Sequence, residues 1–223
     1  MNDKQRVAEQ AAQNIETGMR VGLGTGSTAN YFIEALARRK QQEGLQIQVV
    51  SSSIVSAIKA QECHLDLLGI EHIHAVDVYV DGADEVTPDL TLLKGRGADL
   101  VKEKLLAKAS QAFWVLIDAS KRVEHIGQNF PIPIEVIPFA WQLVQRSLAE
   151  IGGQAELRRN GDGLFVTSHG SLVFDSVFPP TLDTTALNAK LNAIPGIVEH
   201  GIFSQLATTV WCAENGQVTA LVP

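Results

Sequence analysis

The ten residues RVGLGTGSTA at positions 20–29 decide the fold. Residues 20–24 form a short apolar run that reads as a strand and empties into glycines. From 28 to 39, Tyr31, Phe32, Ala35 and Leu36 then recur at helical spacing. Strand, glycine loop and helix in that order are the opening of a parallel α/β unit. Glycines at this junction let backbone N–H groups approach an anion at the helix N-terminus, so the loop reads as a phosphate or carboxylate cradle. Gly24, Gly26 and Ala29 also satisfy the spacing of a dinucleotide fingerprint. The next strand, however, ends in serines rather than in the acidic residue that grips a ribose hydroxyl, and no nucleotide P-loop lysine follows. A merely connecting turn stays open as an alternative.

Upstream, 3–16 reads as a helix with Val7, Ala8, Ala11, Ala12 and Ile15 inward and Gly18 as its C-terminal cap. Downstream, strands at 47–50, 76–80 and 113–117 alternate with helices at 54–61 and 98–109. This alternation predicts a Rossmann-like, doubly wound parallel sheet, in which ligands bind beyond the carboxyl ends of the strands. The pattern changes near Asn129, where Pro131, Pro133 and Pro138 punctuate an extended stretch before a helix carrying Trp141, Val144, Leu148 and Ile151. Strands at 155–157, 164–167 and 172–177, hairpin turns at 160–161 and 169–170, and a helix N-capped by Asp183 follow. The expectation is a main α/β domain of residues 1–128 and 200–223, with a small α+β (ferredoxin-like) subdomain at 129–199. The last strands, 203–212 and 218–222, rejoin the main sheet.

Composition narrows the function. The 223 residues are 45% hydrophobic and 19% charged, the make-up of an ordinary globular chain. A net charge of -7, from 25 acidic and 18 basic residues, disfavours nucleic acid as a partner, because that affinity rests on Lys and Arg neutralising phosphates. The polar N-terminus lacks the pattern of a signal peptide, and no apolar run is long enough to span a bilayer, so a cytoplasmic location with no membrane partner is expected. Cys63 and Cys212 lie far apart and read as reduced thiols. The six histidines show no metal-ligand spacing and read as surface residues.

Three further segments carry chemistry. DGADE at 81–85 puts Asp81 and Asp84 directly after a strand, with Gly82 and Ala83 keeping the turn slim. Paired carboxylates exchange protons with hydroxyls, although a helix cap or a Mg²⁺ site would use the same oxygens. KGRG at 94–97 sets Lys94, Gly95, Arg96 and Gly97 before the helix that contains Glu103, where a cation and a helix N-terminus stabilise an anion. On the helical wheel Val101, Leu105 and Ala109 form the inward stripe, which turns Glu103 to solvent.

Together, GLGTGSTA at 22–29, DGADE at 81–85, KGRG at 94–97 with Glu103, and DASK at 118–121 closely resemble the type A ribose-5-phosphate isomerase family. The resemblance extends more weakly through PIEVIP at 133–138 and NAIPG at 192–196. It implies interconversion of D-ribose 5-phosphate and D-ribulose 5-phosphate through an enediol, without cofactor or metal. It implies Glu103 as the base between C2 and C1, assisted by Asp81, Asp84 and Lys94. Substrate contacts are implied for Thr25, Gly26, Ser27, Thr28, Asp81, Gly82, Ala83, Asp84, Lys94, Gly95, Arg96, Gly97 and Lys121. A homodimer or tetramer is implied as well. Arg96 departs from a family glycine and Asp99 from a small apolar residue, and a pair between them at i, i+3 would neutralise both charges. A sugar-phosphate-sensing module without turnover is the competing expectation.

Overall fold

The computed structural model describes residues 2–222. The chain begins α1 (Asp3–Gln13), β1 (Arg20–Leu23), α2 (Ser27–Glu43), β2 (Gln48–Ser51), α3 (Ile54–Glu62), β3 (Asp66–Leu68) and β4 (Val76–Asp81). It continues β5 (Glu85–Val86), β6 (Leu92–Leu93), α4 (Leu100–Ala109), β7 (Ser110–Asp118), β8 (Ile132–Val136) and α5 (Trp141–Glu150). There follow β9 (Gln154–Leu157), β10 (Arg159–Asn160), β11 (Gly163–Leu164), β12 (Leu172–Val177) and α6 (Thr184–Ala193). The chain closes with β13 (Ile197–His200), β14 (Ile202–Phe203), β15 (Thr209–Glu214) and β16 (Gln217–Leu221).

Two compact units result. The first comprises Met1–Ala83, Lys102–Lys121 and Leu206–Pro223. Its strands run β16-β15-β7-β4-β1-β2-β3, all parallel except β16, which folds back on β15. The strand order reverses between β1 and β4, so the crevice that such sheets use for ligands opens beyond those two strands. Val7, Ala8, Ala11 and Ala12 of α1 and Phe32, Ile33 and Leu36 of α2 pack into one core with Val21, Leu23, Val49, Val78 and Val80. Each fully buried aliphatic or aromatic side chain there contributes about 1.5–3 kcal/mol. The expected cap of α1 is corrected: Asn14 closes the helix, and Gly18, at φ +94°, sits in a later turn whose N–H reaches Gln46 O at 2.7 Å. The short edge strand β3 escaped the sequence because three residues display no period.

The second unit comprises Asp84–Val101 and Arg122–Gln205. Its β8-α5-β9-β12-α6-β13 succession forms an antiparallel sheet in the order β13-β8-β12-β9, the ferredoxin-like arrangement. Val144 and Leu148 of α5 and Leu187 and Leu191 of α6 pack on Ile132, Ile134, Val136 and Phe174 of the sheet. Asp183 N-caps α6, its carboxylate accepting from Ala186 N at 2.7 Å. The turn at 160–161 closes the β10–β11 hairpin, whereas the strand expected at 164–167 is broken: Leu164 ends β11 and Val166 only bridges to Leu172. Likewise 203–212 is no single strand: Phe203 belongs to β14, which pairs with β6.

The second unit includes 84–101 and 122–128, and two interactions hold them there. The β14-β6-β5 sheet ties the first stretch, and the fully buried Glu85 ties the second. Its carboxylate accepts from Gly127 N (2.7 Å), Asn129 N (2.6 Å) and Phe130 N (3.0 Å). A buried carboxylate is tolerated only with such donors. Glu85→Gln, which replaces acceptor lone pairs by an amide donor facing N–H groups, is expected to destabilise the protein by about 1–3 kcal/mol in denaturant unfolding.

Candidate functional site

In the first unit the β1 and β4 ends are joined through Asp81. Its side chain is buried, and Oδ1 accepts from Thr25 N (3.0 Å) and Gly82 N (2.7 Å) while Oδ2 accepts from the Tyr79 hydroxyl (2.5 Å). Gly24 N also donates to Val80 O at 2.8 Å. The glycines make this approach possible. A Cβ at Gly24 would stand 2.0 Å from Asp81 Oδ1, and one at Gly22 would stand 2.7 Å from Tyr79 Cδ2. A strand, β5, and not a helix follows Asp81, so the helix-cap alternative falls and the carboxylate anchors the glycine loop. Among the described residues no cluster of His, Cys, Asp and Glu that could hold a metal ion is present.

The loop is braced from its other side by serines that the sequence showed only as a strand end. Thr25 Oγ1 lies 2.7 Å from Ser53 Oγ and 3.2 Å from Ser52 Oγ, and Ser56 Oγ donates to Gly24 O at 2.6 Å. Gly26, at φ +102°, starts α2 without a side-chain cap, leaving the first N–H groups of the helix at an exposed end with Ser27 and the half-buried Thr28. Lys4 of α1, which sequence reading missed, donates to Ser27 Oγ at 3.3 Å. Two cationic side chains therefore lie toward the carboxyl ends of the parallel strands, because Lys121 ends the short helical turn Ala119–Lys121 that follows β7. Only the fold brings α1 to α2, and no local pattern marks Lys4.

Glu103 overturns the helical-wheel expectation. It is 5% exposed, and Lys104, Leu100, Leu106 and Ala107 are buried with it, whereas Leu105 is 54% exposed. The inward face of α4 is thus rotated from the Val101, Leu105, Ala109 stripe, because two charged residues occupy positions that a hydrophobicity count assigns to solvent. Burial pushes the Tyr79 hydroxyl well above the ordinary tyrosine range, and the nearby charges of Asp81 and Glu103 push it further. The first unit therefore gathers Thr25 to Thr28, Asp81 to Ala83 and Glu103, with neutral Tyr79 beneath them and stacked on Phe113 at 4.9 Å.

The second unit holds Asp84 and the loop of Lys94, Gly95, Arg96 and Gly97. Lys94 is 4% exposed; its N–H donates to Gly201 O at 2.9 Å and its ammonium lies 5.7 Å from the Phe203 ring centroid. Gly95, at φ +93°, has no room for a side chain, since a Cβ would be 3.0 Å from Leu100. Asp84 N donates to Leu93 O, and Asp84 Oδ2 accepts from Arg96 N at 3.4 Å. The Arg96 guanidinium lies over the Phe130 ring, 4.0 Å from the centroid. Nor are all histidines at the surface: His200 is fully buried, with its ring 3.2 Å from Asn192 Oδ1. The first unit thus offers the buried carboxylates of Asp81 and Glu103 and the second the buried ammonium of Lys94, groups of the kinds that move a proton and hold an oxyanion.

Comparison with known proteins converges. Residues 48–217 match the family model of ribose 5-phosphate isomerase A (phosphoriboisomerase A). Ribose-5-phosphate isomerase A of Methanothermobacter thermautotrophicus is 44% identical over 212 residues, covering 94% of this chain and 93% of that protein. Among solved structures, the ribose 5-phosphate isomerase A of Methanocaldococcus jannaschii superposes with a TM-score of 0.93 at 36% identity, over 99% of this chain and 98% of the other. A D-ribose-5-phosphate isomerase in complex with phospho-erythronic acid superposes with a TM-score of 0.95 at 38% identity, with both chains fully covered.

Tyr79→Phe removes one donor from the buried Asp81 carboxylate and is expected to cost about 1.5–3 kcal/mol. Because its folded pKa lies above the unfolded value near 10, the stabilisation from the neutral hydroxyl persists through neutral pH and is lost only above about pH 10. In an alkaline titration followed by phenolate absorbance, one tyrosine of the parent should therefore ionise later than in the unfolded chain, a step that Tyr79→Phe lacks.

Proposed function

Because this chain belongs to the ribose 5-phosphate isomerase A family, we propose that Glu103 is the base of an aldose–ketose isomerisation. The protein is a ribose-5-phosphate isomerase, interconverting D-ribose 5-phosphate and D-ribulose 5-phosphate. The carrying observation is the 5% exposure of Glu103 beside Asp81. Glu103 takes the C2 proton of the open-chain aldose and returns it to C1, while a hydroxyl proton moves from O2 to O1, so atoms and charge balance through an enediolate. Lys94 and the backbone N–H groups of its loop stabilise the enediolate oxygens; a positioned base contributes roughly 10² to 10⁴ in rate.

The role assigned to Asp81 shifts from proton transfer to holding the loop of Thr25 to Thr28, given the three donors on its carboxylate. Asp84 is the carboxylate assigned to a sugar hydroxyl. The phosphate falls to the N-terminus of α2, supported by its lack of a side-chain cap and by Lys4 on Ser27, with Lys121 as a further cation. Gly82, Ala83, Gly95, Arg96 and Gly97 complete the substrate contacts. A reducing, cytoplasmic setting is supported by Cys63 and Cys212 standing outside any disulfide. Homodimer formation is supported by exposed Phe139 (88%) and Leu143 (69%), which water solvates poorly. A sensing module without turnover is not favoured.

Glu103→Gln is expected to lower kcat at least about 10²-fold with the fold retained by circular dichroism. Turnover of the parent enzyme on ribose 5-phosphate is expected to be unchanged by excess chelator. Full activity of Glu103→Gln would remove Glu103 from the mechanism.

A further inference from the structure

The loop from Lys94 to Gly97 is shaped by a side chain far along the chain. Arg158, which follows β9, is only 16% exposed and grips Asp175 of β12 with two hydrogen bonds, Nε to Oδ2 at 2.9 Å and Nη2 to Oδ1 at 2.6 Å. Its remaining nitrogen, Nη1, donates to Arg96 O at 3.0 Å and to Gly95 O at 3.5 Å. The backbone of Arg158 is fixed as well, its N–H on Val173 O (2.8 Å) and its carbonyl accepting from Phe165 N (2.9 Å). The guanidinium is thus oriented by Asp175 before it meets the loop, and a fork of five donors on a planar group is what allows both tasks at once.

The loop needs such a partner. It passes through two left-handed residues, Gly95 at φ +93° and Ala98 at φ +63°, a conformation that persists only where the surroundings over-determine it. In a planar trans peptide the C=O and N–H point in opposite directions, and no peptide in the described residues is cis. Turning the Gly95 carbonyl to Arg158 sends Arg96 N–H the other way, where it finds Asp84 Oδ2 at 3.4 Å. By the same geometry, turning the Arg96 carbonyl to Arg158 sends Gly97 N–H away from Arg158.

We propose that the Arg158–Asp175 pair is a positioning device that presets the peptide planes of the Lys94 to Gly97 loop, so that Gly97 N–H faces the sugar oxygens in the transition state while Arg96 N–H holds Asp84, the carboxylate assigned to a sugar hydroxyl. The proposal rests on the reading that this loop touches substrate. Arg158 itself stays behind the loop and acts through it.

The test compares Arg158→Met, Arg158→Lys, Asp175→Asn and Lys94→Ala by steady-state turnover of ribose 5-phosphate, affinity for phospho-erythronic acid, and melting temperature. Misplaced donors are expected to cost Arg158→Met about 10- to 100-fold in kcat, with KM changed less than about threefold. Arg158→Lys keeps the charge but cannot hold both Asp175 and the carbonyls, so it should melt near the parent temperature and still lose kcat, which a purely structural role does not predict. Combining Arg158→Met with Asp175→Asn should add little to Arg158→Met alone, since Asp175 acts through Arg158. If Arg158→Met does not fold, Arg158→Lys and Asp175→Asn carry the comparison. Folded Arg158 variants with kcat within about twofold of the parent, while Lys94→Ala is impaired, would overturn the proposal alone. An unimpaired Lys94→Ala would overturn the substrate-loop reading beneath it.

Discussion

The first unit is organised around one buried negative charge. Placing the Asp81 carboxylate at the end of β4 costs several kcal/mol in desolvation unless donors meet it. The two backbone N–H groups and one phenol that do so come from the loop after β1, from its own turn and from the strand below. Satisfying that charge therefore fixes the glycine loop, and the glycine loop fixes where α2 begins. The absent side chains at Gly22 and Gly24 are as much a part of the arrangement as the present ones, since any Cβ there would collide with Tyr79 or Asp81. The glycines in the opening motif are explained first by what lies beneath the loop rather than by what binds above it.

The second unit solves a related problem in another way. Its loop from Lys94 to Gly97 has no strand ladder to hold it, and its shape comes from single long-range contacts: Gly201 on Lys94 N, Phe130 under Arg96, Arg158 behind two carbonyls. Glu85 supports the same region at one remove, because the backbone it anchors includes Phe130. A loop built this way is held where its contacts are and carries little regular structure of its own.

These two constructions account for how far sequence reasoning reached. Periodic strands and helices such as β1, α2, β4 and β7 were readable because local hydrophobic spacing and tertiary burial agree there. The site motifs were readable through their glycines and charges and through their resemblance to a family. What failed was α4, where Leu105 is turned outward and Glu103 and Lys104 are turned in, so that burial there does not follow hydrophobicity. Lys4, the serines around Thr25 and the Arg96–Phe130 stacking escaped for a different reason. They are meetings between residues distant in sequence, and nothing in either partner's neighbourhood announces the other.

The placement of the last two strands has a consequence for how the protein is made. β7 pairs on one side with β4 and on the other with β15, and β15 is in turn covered by β16, which ends at Leu221. During synthesis the edge of β7 must wait, with its backbone donors and acceptors unpaired, until β15 has left the ribosome. Such an edge is a template for pairing with other chains, and closing it brings together residues about a hundred positions apart, a slow step for a nascent chain. Loss of β16 would thus move the sheet's edge inward to β15, a strand otherwise paired on both sides.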